Sequence, residues 1–382
     1  MSQPYSNLHT IFSEYIASNF GNREHFPELK LIPNDDALLP RIIKKTGEIQ
    51  YSYRTEILFM LYNCGNFDLL INYYFCITSY INGKYPEAKI LASNIRNFLK
   101  QESIVQPLII NYINNRTKLI YEILFVILHE IGHGLFFNSK EEKDYYIGLI
   151  DEGVKAMVNT YHNLFSNDIV QESVLSDEKY RSHLSKNNNI PDNYNWTWDN
   201  LFDSLGQFPS QIEKDKKKEE LACDYFALTQ FLYINEQLGM ELDSCPDFFP
   251  ACINALQFVQ RHIWWDTFFI KQQSDKYGIT SSIDQVRTIF IFTQCQLLLM
   301  EDYPEVYDYL IEESYNGIPM NQAEKDINFF EQNTELIREI GVGADRIDEQ
   351  EKHETNELII DAEDDILHII ENTEKAMQQI NQ

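Results

Sequence analysis

The feature that most limits how this chain can fold is an apolar run that keeps helical spacing over residues 115–137. Apolar side chains recur there at intervals of three and four residues, and the remaining sides are also apolar. This pattern predicts a helix that is buried on nearly all of its faces. Asn114 or Asn115 is predicted to cap its amino end, and Asn138 and Ser139 are predicted to end it.

Residues 129–133 of this predicted helix read His-Glu-Ile-Gly-His. Positions i and i+4 of a helix lie on one face, so the imidazoles of His129 and His133 can reach the same ion. Zinc suits two imidazoles placed in this way. Glu130 is not needed as a ligand and can act as the general base that takes a proton from water activated by the metal. The sequence therefore predicts a catalytic Zn²⁺ site on this helix.

A catalytic zinc site needs a third protein ligand and an open position. No histidine lies between Gly134 and Tyr161, which excludes a third imidazole directly after the motif. Glu220 and Asp224 are one helical turn apart and are predicted to share a face. Glu220 is predicted to be the third ligand, and Asp224 to accept a hydrogen bond that orients a ligand imidazole. Glu219 is the nearest competitor for the ligand role.

The combination of His-Glu-x-x-His with a later Glu-x-x-x-Asp resembles the gluzincin metallopeptidases. The form Glu-x-x-x-Asp-x-Phe-Ala at 220–227 is similar to the second helix of minimal cytosolic members, such as the repressor-cleaving peptidases of mobile elements, and looks compatible with the Lit-type phage-exclusion peptidases. The resemblance covers about residues 110–235. It implies a zincin-like core with a small sheet beside the metal helix, a protein or peptide substrate and a role in phage defence. The separation of the two motifs is longer than in the repressor-cleaving type, which implies an inserted segment at about 140–215.

Peptide hydrolysis also needs a group that stabilises the oxyanion. His262, which lies in the sequence Gln-Arg-His-Ile-Trp-Trp, and Tyr225 are the candidates. A histidine beside aromatic residues is more often a packed core residue, so that alternative stays open for His262. Glu122, two turns before His129, is predicted to be either a support of the site or, more simply, a buried carboxylate.

Changes in composition divide the chain into four predicted regions. The region 1–105 is mixed, and 106–240 is the metallopeptidase core, which contains the insertion at about 140–215. The region 241–340 is a helical, aromatic subdomain, and 341–382 is an acidic helix. The predicted fold class is therefore mainly α, with α+β as the alternative.

Several local elements follow from the same patterns. Segments 86–100 and 216–238 are predicted to be helical. The apolar segment 73–78 could be either a strand or a buried helix, because its periodicity does not distinguish the two. Pro107 is predicted to break or start an element. A narrow apolar stripe marks the helix of the last region: Leu358, Ala362, Ile366, Ile369, Thr373, Met377 and Ile380. Its simplest interpretation is a terminal helix packed on its own domain, and the alternative is a helix that binds a protein partner.

The charge and the apolar content limit the functional class. A net charge of −28 argues against nucleic-acid binding, which needs clustered lysine and arginine, and the basic run at 214–218 is predicted to be a solvated helix start. Six cysteines without a Cys-x-x-Cys pair predict reduced thiols. The amino terminus has no signal-peptide pattern, and the most apolar stretches, 119–128 and 289–300, are shorter than the roughly 18–20 residues of a spanning helix. A cytoplasmic protein without a membrane segment is predicted.

Two functions from different classes agree with these patterns. The first is a zinc endopeptidase that acts on a protein substrate. The second is a catalytically inactive metallopeptidase-like scaffold that serves as a protein-interaction or regulatory module. A nucleic-acid-binding regulator is the weakest hypothesis because of the net charge.

Overall fold

The computed structural model of the protein describes residues 6–20, 29–34, 38–64, 66–165, 211–237, 248–265 and 349–380, together with 287, 290, 291 and 294. The helices in these ranges are α1 (Ser6–Phe20), α2 (Tyr53–Asn63), α3 (Phe67–Ile81), α4 (Tyr85–Phe98), α5 (Glu102–Asn138), α6 (Lys140–Phe165), α7 (Gln211–Gln237), α8 (Phe248–Trp265) and α9 (Glu349–Ile380). The strands are β1 (Lys30–Pro33), β2 (Arg41–Ile43) and β3 (Glu48–Tyr51). The described residues are thus mainly helical with a small sheet, as the sequence predicts.

The sheet has the strand order β1-β3-β2, so β2 forms one edge. β1 runs parallel to β3, and β2 pairs antiparallel with β3 with Ile42 opposite Ile49. The turn between β2 and β3 contains Gly47 at φ 75°, a conformation that glycine adopts without steric cost. Ile42 and Ile49 are buried in the common hydrophobic core that also contains the central part of α5.

Helix α5 is the central element, and it begins much earlier than the sequence predicts. It starts at Glu102, and Asn114 and Asn115 lie in its interior, so the predicted cap at these residues is wrong. Pro107 lies inside the helix, in its second turn, where a proline costs one hydrogen bond near the amino end. Burial of the following apolar side chains offsets that cost, because Leu108 is fully buried. The predicted end is confirmed, since the helix ends at Asn138.

The predicted polar insertion at about 140–215 starts with regular structure. Its first 26 residues form α6, whose inner face buries Ile150 and Val154 in the common core. Residues 166–210 lie outside the described residues. The segment 73–78 is part of the buried helix α3, which decides between the two predicted alternatives.

The acidic helix α9 packs on its own chain, as its simplest interpretation predicts. Ile359, Ala362 and Ile366 are buried in the common core. A buried polar contact adds to this packing: Glu363 accepts hydrogen bonds from Arg54 Nε at 2.8 Å, from Tyr73 Oη at 2.9 Å and from Tyr53 Oη. The last helix is therefore tied to α2 and α3 through a satisfied ion pair.

Part of α5 is long and apolar enough to cross a membrane by composition alone. This part is Lys118–Asn138, and 78% of its most apolar window is buried inside the protein. It is longer than the 119–128 stretch noted in the sequence. Such burial is consistent with the core helix of a soluble protein.

Candidate metal centre

Helices α5 and α7 approach each other closely beside the His-Glu-Ile-Gly-His sequence. Gly132 makes this possible, because a Cβ atom there would lie 3.2 Å from Cys223 Cα and 3.2 Å from Phe226 Cδ1. Ala222 and Ala227, which are both fully buried, also keep the α7 side of the contact small. The close contact brings the histidine turn of α5 next to the acidic turn of α7.

A carboxylate on α7 holds the outer ring nitrogen of each histidine. His129 Nδ1 lies 2.7 Å from Asp224 Oδ1, and His133 Nδ1 lies 3.3 Å from Glu219 Oε1. An acceptor at Nδ1 favours the tautomer with its proton on Nδ1 and its lone pair on Nε2. Both imidazoles are thereby prepared to bind a cation through Nε2.

Glu220 faces both of these Nε2 atoms. Its Oε2 lies 3.4 Å from His129 Nε2, and its Oε1 lies 3.4 Å from His133 Nε2. The two rings stand nearly perpendicular, at 83°. Ligand atoms of a tetrahedral zinc site lie about 3.3–3.4 Å apart when the metal–ligand bonds are about 2.0–2.1 Å. Two lone pairs and a carboxylate repel one another unless a proton or a metal cation lies between them, so this donor set fits zinc.

Glu130 lies at the rim of the same cluster, where strand β2 meets α5. One donor atom each of His129, Glu130 and His133 lie within 4.8 Å of one another. Glu130 Oε2 accepts a hydrogen bond from the backbone N–H of Ile42 at 2.8 Å. Gly134 leaves room for the Ile42 side chain, since a Cβ atom there would lie 2.5 Å from Ile42 Cδ1. One oxygen of Glu130 is thus engaged by the strand, whereas both oxygens of Glu220 face the imidazoles.

Glu219, the competitor for the ligand role, occupies a different position. Its carboxylate accepts from Lys44 Nζ at 3.0 Å and from Lys143 Nζ, in addition to its contact with His133. The hydrogen bond with His133, followed by those with Lys143 and Lys44, holds the pKa of Glu219 well below its usual range. Glu219 is therefore an ionised partner of His133 and of two lysines, on the side of the imidazole away from Glu220.

Arg287 supports the site, and the sequence patterns did not single it out. Its side chain is buried, and it donates to Asp224 from Nε at 2.7 Å and from Nη2 at 2.9 Å. Its Nη1 lies 3.6 Å from Glu220 Oε2. Burial raises the pKa of Asp224, but Arg287 and His129 outweigh burial and lower it overall. A single cation just before the apolar sequence Ile-Phe-Ile-Phe was the only signal for this role.

The charges of the described side chains at the site do not balance. Its carboxylates are Glu130, Glu219, Glu220 and Asp224, and its permanent cations are Lys44, Lys143 and Arg287. The carboxylates thus exceed the cations by one. Burial lowers the pKa of His129, but Asp224 and Glu220 raise it to about 10, so without a metal the cluster attracts a proton. A divalent cation would offset the excess of negative charge in place of that proton.

The remaining predicted residues lie in different surroundings. His262 is in α8, but its side chain falls outside the described residues. Tyr225 is partly buried, and its ring packs edge-on against the ring of Phe290, with 6.1 Å between the ring centroids. Glu122 is fully buried and accepts from Asn63 and Asn254, and burial raises its pKa to about 7. These contacts agree with the simpler interpretation of Glu122 as a buried carboxylate.

Comparison with protein-family models, with curated proteins and with solved structures finds no match for this chain. The resemblance to gluzincins is therefore confined to the short motifs on α5 and α7. The positions of the site side chains are the basis for the function proposed below.

Proposed function

We propose that this protein is a cytoplasmic zinc-dependent endopeptidase that hydrolyses a peptide bond of a protein substrate. The observation that carries the proposal is the position of Glu220, whose carboxylate faces Nε2 of both His129 and His133 at 3.4 Å. Because each Nδ1 already has its own carboxylate partner, both Nε2 atoms are left to bind a cation beside Glu220. When bound there, zinc supplies Lewis acidity to the scissile carbonyl and to water.

Glu130 is the general base in this mechanism. It takes a proton from the attacking water, whose oxygen adds to the carbonyl carbon. When the C–N bond breaks, Glu130 gives the proton to the leaving amine. The bond from Ile42 N–H to Glu130 Oε2 holds the carboxylate at the rim, beside the imidazoles. Asp224 and Glu219 keep the two imidazoles oriented.

The position of the sheet supports a zincin-like core of the gluzincin type. Strand β2 lies at the edge of the sheet that the described residues form, and the N–H of Ile42 points away from β3 toward Glu130. An extended substrate that reaches Glu130 therefore passes beside this strand, next to the backbone group that holds Glu130. The motifs shared with Lit-type peptidases support, as a further part of the proposal, a protein substrate encountered in phage defence.

The decisive experiment combines metal analysis with one conservative substitution. We expect the protein purified without chelator to contain zinc near stoichiometry and to cleave a protein in a lysate, detected by labelling new amino termini. Glu130→Gln should retain zinc and lose cleavage, because the amide cannot accept the proton. Glu220→Ala should lose both. Cleavage by Glu130→Gln at the wild-type rate would show that this mechanism is wrong.

The alternative is a catalytically inactive scaffold that acts as a protein-interaction or regulatory module. One observation favours it: the backbone of β2 already occupies one oxygen of Glu130. The same experiment separates the two functions. Protein with stoichiometric zinc and no cleavage of any protein in the lysate supports the scaffold, as does protein that binds no zinc.

A further inference from the structure

The edge strand beside Glu130 is basic, although the protein as a whole is strongly acidic. The sequence Arg41-Ile42-Ile43-Lys44-Lys45 has three cations and no carboxylate in a chain of net charge −28. Arg41 and Lys45 are exposed, and 40% of the Lys44 side chain is exposed. We call these five residues the basic edge. It adjoins the site, since its second residue, Ile42, donates to Glu130.

The charges of the basic edge are only partly neutralised by the described residues. The guanidinium of Arg41 donates from Nη2 at 2.6 Å and from Nε at 3.2 Å, both to the neutral amide oxygen of Gln50. Lys44 shares the single carboxylate of Glu219 with Lys143, whose side chain is 33% exposed. A positive potential therefore remains along this side of the site.

Helix α7 adds one exposed cation. Lys216 is exposed on α7, one turn before Glu220 on the same helix face. The site itself carries one net negative charge from its described side chains, and a divalent cation turns that into one positive charge. Cations thus lie both on the strand and on the helix that carry side chains of the proposed cleavage centre.

We propose that this site selects acidic segments, so that the substrate carries aspartate or glutamate beside the bond to be cleaved. The inference rests on the proposed peptidase function and names its substrate class. The net charge of −28 does not prevent such binding, because charges separated by more than about 8 Å are largely screened at physiological ionic strength. A carboxylate of a bound substrate that pairs with a cation of the basic edge lies well within this distance, so that the attraction between them is screened less.

The test measures binding separately from cleavage. The probes are fluorescein-labelled peptides of one sequence in which the same positions carry glutamate, glutamine or lysine. Fluorescence polarisation with zinc-loaded Glu130→Gln protein gives the dissociation constants at physiological salt. We expect the glutamate peptide to bind at least about tenfold more tightly than the lysine peptide, which corresponds to about 1.4 kcal/mol.

Charge-reversal variants locate the preference on the protein. Arg41→Glu combined with Lys45→Glu, and Lys45→Glu alone as the milder change in an exposed turn, should reduce or reverse the preference for the glutamate peptide. The matched control combines Lys100→Glu with Lys375→Glu, which are exposed and alter the net charge equally. This control should bind the glutamate peptide as before. Thermal melts verify that each variant is folded.

Three results overturn the proposal: equal binding of the three peptides, tighter binding of the lysine peptide, or no binding of any of them. An equal loss in the Lys100→Glu and Lys375→Glu control also overturns it, because the preference would then follow the total charge. The proposed function fails in a different way. If the glutamate peptide binds but wild-type protein with zinc does not cleave it or any lysate protein, selection of acidic segments stands and the peptidase function does not.

Discussion

The buried carboxylate of Asp224 links the metal centre to Arg287, because it contacts His129 on one side and Arg287 on the other. We predict that Asp224→Asn weakens zinc binding by about 10–100-fold. The amide keeps the shape of the side chain but loses the negative charge that favours the orientation and basicity of His129. Competition with a chromogenic chelator measures the zinc affinity.

The control for this change is Asp364→Asn, which removes an exposed carboxylate on α9. It should leave the zinc affinity as it is in the wild type. An unchanged affinity in Asp224→Asn would mean that His129 does not need this partner, and that Asp224 has only a structural role with Arg287.

Glu56 gives the protein a pH dependence that is separate from the metal centre. It is 1% exposed, Tyr51 Oη donates to its Oε1 at 2.6 Å, and its Oε2 has no hydrogen-bond partner among the described residues. Burial raises the pKa of Glu56 to about 8. The folded protein therefore keeps a proton that the unfolded chain releases, so this group makes the protein less stable as the pH rises from about 4.5 to about 8.

We predict that Glu56→Gln removes this loss, because glutamine resembles the protonated acid. The free energy of unfolding of the variant should exceed that of the wild type at pH 8.5 by on the order of 4 kcal/mol, and the two should be nearly equal near pH 4.5. Urea unfolding at both pH values measures the difference. Glu357→Gln, at an exposed position, is the control and should behave as the wild type does. A difference that is the same at both pH values would contradict the assignment.

At the scale of residues, the parts of the site that the sequence predicts are those with fixed spacing on one helix. His129 and His133 are one turn apart, as are Glu220 and Asp224, and the structure brings these two pairs together. The helical period alone determines which side chains share a face. Arg287 and the interaction of Glu219 with His133 depend on contacts between elements, for which local spacing carries no information.

Among the elements, the contact between α5 and α7 depends most on Gly132. We predict that Gly132→Ala lowers the zinc affinity, since its Cβ atom would lie 3.2 Å from Cys223 Cα, a backbone atom that has little freedom to move. Separation of the helices by a few tenths of an ångström moves Glu220 away from both imidazoles. Overpacking of this kind costs about 1–3 kcal/mol, against a gain in helix propensity of about 1 kcal/mol. Chelator competition and thermal unfolding measure the two effects.

Gly148 provides the matched control in α6. A Cβ atom there has no neighbour within 4 Å, so Gly148→Ala should stabilise the protein by about 0.5–1 kcal/mol and leave the zinc affinity unchanged. If Gly132→Ala behaves in the same way as Gly148→Ala, the close helix contact is not what positions Glu220.

The sequence predicts long apolar elements better than short or polar ones. The end of α5 follows from its apolar pattern, but its start at Glu102 does not. A proline usually ends or begins a helix, yet Pro107 lies inside this one, next to the buried Leu108. The strands have only three or four residues, too few to show an alternating pattern. They nevertheless supply the amide that contacts Glu130. The amphipathic helix α6 lies in the segment that the long separation of the two motifs marks as an insertion, and its many charged residues hide the apolar face that packs on the core.

For the whole molecule, the sequence predicts a mainly helical fold with a small sheet, and the described residues have that composition. The sequence did not predict which of these elements share one hydrophobic core. Helix α9 comes from the end of the chain yet packs on α2 and α3, where Glu363 meets Arg54. A pairing across some 300 residues arises from the folding of the entire chain, and no local pattern marks it.

Zinc removal tests whether the metal contributes to the stability of the whole molecule. The proposed ligands lie on α5 and α7, far apart in sequence, so only the folded chain brings them together, and zinc should stabilise the folded state. With free zinc at about 100 times its dissociation constant, the expected stabilisation is about 2.7 kcal/mol. We predict that a chelator lowers the unfolding temperature of the wild type and of Glu130→Gln, and that added zinc restores it. Glu220→Ala should show no such shift, because it lacks the third ligand. An equal shift in Glu220→Ala would place the stabilising zinc elsewhere in the chain and contradict the assignment of Glu220.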